Sequence, residues 1–310
     1  KIISMIDDDN ESLLKIELEK LDKMNLFSIN ITKNLRAIKR RKELIDDIIC
    51  KINNEYIQFD NNVFLLAFKN KILNLETNTF IEPNYKQYLT MNTGYDYNNY
   101  ESPLLKKELN DILIKMLPNE SIRNYYMCIL SNGLCGLQLQ KLMVNSGTGA
   151  NGKSVLNGLI SSSLGGYAYV LPSAVLLSDI KDGVNVSISS LHKIRYALCS
   201  EPSKKQQISS ATVKELTGNS TVNARTIYSS NTKTELNQIL VLECNTIPTI
   251  DEINDAVKRR IDIIEFKSKF VIQSQYDLYT PDEIVSKNIH LQNPYFLTPE
   301  FKTKYRQSLI

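Results

Sequence analysis

Residues 147–154 read Gly147, Thr148, Gly149, Ala150, Asn151, Gly152, Lys153 and Ser154, and fit G-x-x-x-x-G-K-[ST] at every defined position. No other stretch limits the possible folds as much. The glycines let successive backbone N–H groups turn inward around phosphate oxygens. The lysine adds a positive charge at the outer phosphates, and the serine hydroxyl can ligate Mg²⁺. Such a loop must follow a strand and open a helix. Lys141–Asn145 is an apolar run that predicts the strand, and Ser154–Ile160 predicts the helix, with Val155, Leu156, Leu159 and Ile160 on its apolar side. The helix N-terminus adds its dipole to anion binding. The motif therefore predicts a nucleoside triphosphate site on residues 147–154.

The downstream half alternates apolar strand runs with helical stretches, which predicts a parallel sheet and an α/β class. After the loop helix, Ile194–Cys199, Ile239–Cys244 and Ile261–Phe266 read as strands, and Ile208–Leu216 reads as a helix. Thr221–Tyr228 and Lys233–Gln238 flank the polar tip Ser229–Thr232, as in a hairpin. Upstream, residues 1–60 carry Leu and Ile at three- and four-residue steps and read as helical. Within them, Lys39–Lys42 is a basic cluster that suits a solvated helix face or a nucleic-acid contact. Residues 63–81 alternate short apolar runs with turns and suggest a small β-hairpin unit. Ser102 and Pro103 open a helix as N-cap and first-turn proline, and another follows at about 120–132. This gives a mainly helical domain over 1–120, a nucleotide-binding domain over 121–270, and a lid or extension over 271–310.

Bulk properties narrow the class further. Net charge is only +3, so a nucleic-acid surface would have to be local rather than global. No apolar run approaches about 18 residues, so no membrane span is expected, and no signal peptide is visible. The chain opens on Lys1 with a predicted helix beginning almost at once, which reads as a piece of a longer polypeptide. Asn, Ile, Lys and Tyr are abundant and Trp is absent, as an AT-rich genome would produce. Cys50, Cys128, Cys135, Cys199 and Cys244 form no C-x-x-C pair and read as reduced core thiols. His192 and His290 lack metal-ligand neighbours, which argues against a zinc site.

Residues beyond the loop give the site its chemistry. Glu201 follows the strand 194–199, where a P-loop enzyme places the acid that holds Mg²⁺ and polarises the attacking water. Asn245 ends the strand 239–244 and could orient that water or sense the terminal phosphate. Arg259 and Arg260 precede the last strand, where a guanidinium could reach a neighbouring subunit's nucleotide and offset transition-state charge.

In order and spacing, these blocks resemble superfamily 3 helicases of the poxvirus and giant-virus helicase-primase type, which are related to phage and plasmid primase-helicases. Gly147–Ser154 resembles that family's Walker A, including the asparagine before Gly-Lys, and Arg195–Glu201 its Walker B. Val213–Gly218, continuing to Ala224 and Arg225, resembles the motif leading into its DNA-contacting hairpin. Leu240–Pro248 resembles the sensor strand, Lys258–Ile261 the arginine motif, and Phe64–Asn70 with Tyr95–Tyr97 the domain before the helicase. Two positions depart from the pattern. Ser200 stands where the family often has a second acid beside Glu201, and Thr217–Ser220 lacks the aspartate of Thr-Gly-Gly-Asp.

The resemblance implies an AAA+-like ATP-hydrolysing DNA helicase, a hexameric ring with ATP between subunits. It also implies that the domain over 1–120 is collar-like and that the one over 121–270 is the helicase ATPase domain. Lys153 and Ser154 would bind phosphate and Mg²⁺, Glu201 would share the metal, and Arg259 or Arg260 would come from the next subunit. Single-stranded DNA would thread the pore of the ring at forked DNA, gripped by Lys214, Arg225 and Lys233. Primase or polymerase would be partners, inside the host cell in the cytoplasm or at a viral replication site. A P-loop small-molecule kinase and an ATP-binding replication scaffold without turnover are the alternatives. Gel filtration with ATP and DNA separates the first from the helicase, and a DNA-stimulated phosphate-release assay separates the second.

Overall fold

The computed structural model describes residues 8–52, 57–98, 102–180, 183–202, 206–225 and 233–310. They divide into two compact units, residues 1–58 and 59–310. The first contains α1 (Asp8–Arg36) and α2 (Ile38–Ile52), separated by Ala37. Helical spacing of Leu and Ile announced both helices. Yet Leu21, Met24, Phe27, Ile45 and Ile48 stay exposed within the unit rather than forming a core.

The second unit opens with an antiparallel sheet of β1 (Leu65–Ala67), β2 (Ile72–Asn74) and β3 (Thr79–Ile81). Phe68, Phe80, Tyr95 and Tyr97 stack around it, the Phe68–Tyr95 ring centroids lying 5.5 Å apart in edge contact. Next come α3 (Pro103–Met116), with Ser102 accepting from the Leu105 N–H, and α4 (Glu120–Leu134), capped by Asn119.

An α/β region follows. Its elements in chain order are β4 (Leu142–Ser146), α5 (Lys153–Leu164), β5 (Ala168–Leu171), β6 (Gly183–Val184), α6 (Val186–Ser189), β7 (Tyr196–Ser200), α7 (Ser210–Gly218), β8 (Thr221–Arg225), β9 (Lys233–Glu235), β10 (Ile239–Cys244), α8 (Asp255–Lys258) and β11 (Ile261–Glu265). The main sheet is wholly parallel, in the order β11-β4-β10-β7-β5. The strand entering the glycine-rich loop therefore lies inside the sheet. It is buried along its length, as parallel strands covered on both faces are. Side chains alternate between two cores. Met143, Ile239 and Val241 face α3, α5 and Phe301, whereas Leu142, Val144, Leu240 and Leu242 face α7. Four of these strands were legible from apolar runs. The edge strand β5 was not, because its four residues follow Gly165 and Gly166 without a lasting pattern.

After β11 the chain adds β12 (Lys269–Val271), α9 (Gln273–Tyr276), α10 (Pro281–Ser286), β13 (Ile289–Leu291) and α11 (Pro299–Tyr305). Phe301 and Tyr305 of α11 belong to the core that includes α5. The Glu108 carboxylate accepts from Lys304 at 2.9 Å and from the Tyr305 hydroxyl at 2.7 Å. Cys199 and Cys244 are buried, but Cys50 and Cys128 are exposed and Cys135 is half-buried, so the core-thiol expectation fails at those three. Helix α2 is amphipathic, and Cys50 on it is not covered by the described residues. No helix among the described residues is long and apolar enough to cross a membrane.

Arg195 ties three elements together. Its guanidinium donates to the carbonyls of Leu65 (2.7 Å) and Leu134 and lies 4.5 Å from the Tyr167 ring centroid. Arg195→Ala leaves the buried Leu65 carbonyl and the half-buried Leu134 carbonyl without this donor. It should lower unfolding free energy by about 3 kcal/mol in urea titration, with secondary structure retained.

Candidate nucleotide site

The loop conformation explains its residues. Gly149 has φ +93° and Gly152 φ +88°, values that a side chain resists. A Cβ at Gly152 would also lie 2.7 Å from Met116 Cγ. Lys153 is buried, and its ammonium donates to the Gly147 carbonyl at 2.8 Å and to Asn151 Oδ1 at 3.1 Å. Burial pushes its pKa down, while the charges of Glu243, Cys244 and Glu201 oppose that shift. Asn151 thus braces Lys153, and the Phe270 N–H bonds the Ala150 carbonyl at 2.7 Å.

Two neighbouring strands, β10 and β7, end at one cleft of about 680 Å³, lined by Ser154, Ser200, Glu201, Glu243, Asn245 and Lys302 among others. Ligand crevices at the carboxyl ends of parallel strands are the rule for such sheets. Glu201 accepts from the backbone N–H groups of Asn245 (2.9 Å) and Thr246 (3.2 Å), so the ends of β7 and β10 are tied together. Ser154, Glu201 and Asn245, singled out from sequence, are brought together here.

Glu243 was missed. Its carboxylate accepts from the Ser154 hydroxyl and, at 2.8 Å, from Asn157 Nδ2. Asn157 Oδ1 in turn accepts from Asn145 at 3.2 Å and from the Tyr196 hydroxyl at 3.1 Å. Those two donors fix the amide, leaving its NH₂ for Glu243. Burial pushes the Tyr196 phenol well up, so it stays a donor. One signal was available: Glu243 is the lone charge in the apolar run Ile239–Cys244. The hydroxyl and carboxylate oxygens of Ser154, Glu201 and Glu243 form a hard donor set that suits Mg²⁺ rather than a softer metal.

The remaining candidates lie elsewhere. Ile261 pairs with Leu142 and Glu265 with Ser146, so Arg259 and Arg260 sit at the end of the sheet away from the cleft. At about 3.3 Å per residue, the strand separates them from Ser154 by on the order of 15 Å. Arg260 is buried and donates to the Ala256 carbonyl at 2.7 Å, whereas Arg259 is exposed. The hairpin is present: β8 and β9 pair antiparallel, Asn223 opposite Lys233. It leads into the amino end of β10, also away from the cleft. Lys233 is exposed at the start of β9, and Lys214 is half-buried on α7 near Asp251. Arg225 ends β8, and the polar tip Ser229–Thr232 lies outside the described residues.

Beside Gly152, Met116, Val155, Phe270, Phe296 and Leu297 line an apolar hollow of about 90 Å³, together with the polar Gln292 and Asn293. No sequence motif marked it.

Residues 2–114 match the family described as D5 N terminal like. A protein of Acanthamoeba polyphaga mimivirus named "Putative helicase L207/L206" is 29% identical over 280 residues, covering 87% of this chain and 29% of that protein. "Primase D5" of Fowlpox virus (strain NVSL) is 27% identical over 312 residues, covering 94% of this chain and 38% of that protein. The chain therefore spans less than two fifths of either relative's length. The solved apo structure of the NrS-1 C terminal region has 14% identity and a TM-score of 0.43, covering 67% of this chain and 45% of that chain.

Proposed function

We propose that this chain, which is of the poxvirus and giant-virus helicase-primase type, is the ATP-hydrolysing motor segment of a DNA helicase used in viral DNA replication. One observation supports this above the others: Ser154, Glu201, Glu243 and Asn245 share a single cleft beside buried Lys153. The triphosphate of ATP lies along the N–H groups of residues 147–154, and Lys153 turns from the Gly147 carbonyl to the outer phosphates. Ser154 and the neighbouring carboxylates would hold Mg²⁺, which would supply charge neutralisation at the phosphates. Glu201 accepts the proton of the attacking water, and Asn245, held against it, orients that water. The apolar hollow at Met116, Phe270 and Phe296 takes the purine base. Two carboxylates beside the loop serine weigh against an ATP-binding scaffold without turnover.

Arg259 is too far from its own cleft to serve it and acts on the nucleotide of the next subunit in a homo-oligomeric ring, taken as a hexamer. The hairpin β8–β9 carries Lys233 and Arg225 to single-stranded DNA in the pore, with Lys214 behind them. Forked DNA is the substrate, and primase or polymerase the replication partners. The domain division at about residues 120 and 270 belongs to the same proposal, as does action in the host cytoplasm or at a viral replication site.

Phosphate release by the purified chain, with and without single-stranded DNA, tests the assignment. Mg²⁺-dependent hydrolysis stimulated several-fold by DNA is expected, and no hydrolysis under either condition sinks it. Lys233→Ala should weaken single-stranded DNA binding about equally across sequences and lower the salt slope by roughly one ion. Normal binding by this variant across several salt concentrations would remove the hairpin from the DNA site.

A further inference from the structure

The acid absent at Ser200 has a counterpart one strand away. We propose that Glu243 takes over the part of the second Walker B carboxylate, accepting a hydrogen bond from the Ser154 hydroxyl and so turning that oxygen's lone pairs to Mg²⁺. This inference rests on the ATPase assignment above.

Three observations carry it. First, Glu243 and Ser200 are directly paired in the ladder between β10 and β7. Neighbouring strands lie about 4.8 Å apart, so a carboxylate moved from one to the other stays near the same point. Second, both side chains lie on the face of the sheet that carries α5. Leu242 and Cys244, either side of Glu243, and Cys199, beside Ser200, all point into the opposite core. Third, Glu243 is already engaged at the loop. One oxygen accepts from Ser154 Oγ, and the other is held at 2.8 Å by Asn157, whose amide is fixed by Asn145 and Tyr196. Glu201, by contrast, has its carboxylate committed to the backbone of Asn245 and Thr246.

The division of labour follows from those contacts. Glu201 stands at the water side of the cleft beside Asn245. Glu243 stands at the serine side and acts through Ser154, which makes it a positioning residue. Ser200 is free of an acid because the acid sits on the next strand. A carboxylate there also adds negative charge beside the metal, which raises cation affinity in its own right.

Binding of a fluorescent ATP analogue, titrated at stepped Mg²⁺ concentrations, tests this. Glu243→Gln keeps an acceptor for Asn157 but removes the charge. It should retain the metal-free affinity for the analogue and raise the half-saturating Mg²⁺ concentration by about 10- to 100-fold. Adding Ser200→Asp to Glu243→Gln should restore most of the metal dependence. Melting curves check the fold of each variant. If Glu243→Gln does not fold, Glu243→Asp, one methylene shorter with its charge intact, must shift the Mg²⁺ midpoint in the same direction. An unchanged midpoint in a folded variant overturns the proposal. So does an equal loss of metal-free affinity, which a merely structural role would give, or a Ser200→Asp addition that restores nothing. A parent chain that binds no nucleotide at any Mg²⁺ concentration instead overturns the ATPase assignment itself.

Discussion

Lys153→Ala is expected to lower kcat for ATP hydrolysis by at least about 10²- to 10³-fold, the loss typical of removing one preorganised charge from a developing oxyanion. The geometry makes the effect large. Lys153 is 3% exposed, and its ammonium is already held inside the loop by the Gly147 carbonyl and Asn151. It is therefore already inside the loop, and meeting phosphate requires only that it exchange those two acceptors for phosphate oxygens. The desolvation that lowers its pKa is relieved once triphosphate arrives, so the interaction strengthens with bound negative charge. Stability should change little, within about 1 kcal/mol, because losing a partly desolvated charge offsets the loss of its two hydrogen bonds. Phosphate release and thermal melting on the same preparation check both halves. Unchanged turnover would remove the loop from catalysis.

The loop was legible because its conformation demands particular residues. Gly149 and Gly152 adopt positive φ, which few side chains tolerate, so the backbone is written into the sequence. Ala150 also has positive φ, at 48°, and nothing in its identity announced it. Strands β4 and β10 were legible because burial on both faces makes them continuous apolar runs. Register was not. The pairing of Glu243 with Ser200 depends on β10 being inserted between β4 and β7, a long-range arrangement that local periodicity does not encode. The aromatic residues Phe270, Phe296 and Phe301 carried no motif, yet the first two border the hollow beside Gly152 and the third lies in the core. Their positions follow from the docking of the segment after β11, which sequence spacing alone does not specify.

Adjacent arginines with the same chemistry are separated by burial, and that separation sets the second large effect. Arg260 turns inward, bonds the Ala256 carbonyl and packs against Gly218; Arg259 remains exposed at the end of α8. Arg260→Ala should therefore act on stability, costing about 1–3 kcal/mol for the carbonyl left without its donor. Arg259→Ala should leave melting and nucleotide binding near the parent values and lower hydrolysis in the assembled state by about 10³-fold or more, as loss of an arginine finger does. Each proposed site draws Lys153 from one subunit and Arg259 from the next. Mixing Arg259→Ala with Lys153→Ala chains should then regain hydrolysis that neither has alone. In a randomly mixed ring of head-to-tail interfaces, roughly a quarter join an intact loop to an intact arginine. Recovery toward that fraction, measured as phosphate release after co-assembly, is the signature of action between subunits. Parent-level turnover by Arg259→Ala alone would rule the residue out as the finger. A mixture as inactive as its components would place each site's arginine and lysine in the same chain, which about 15 Å of intervening strand does not permit without a large rearrangement.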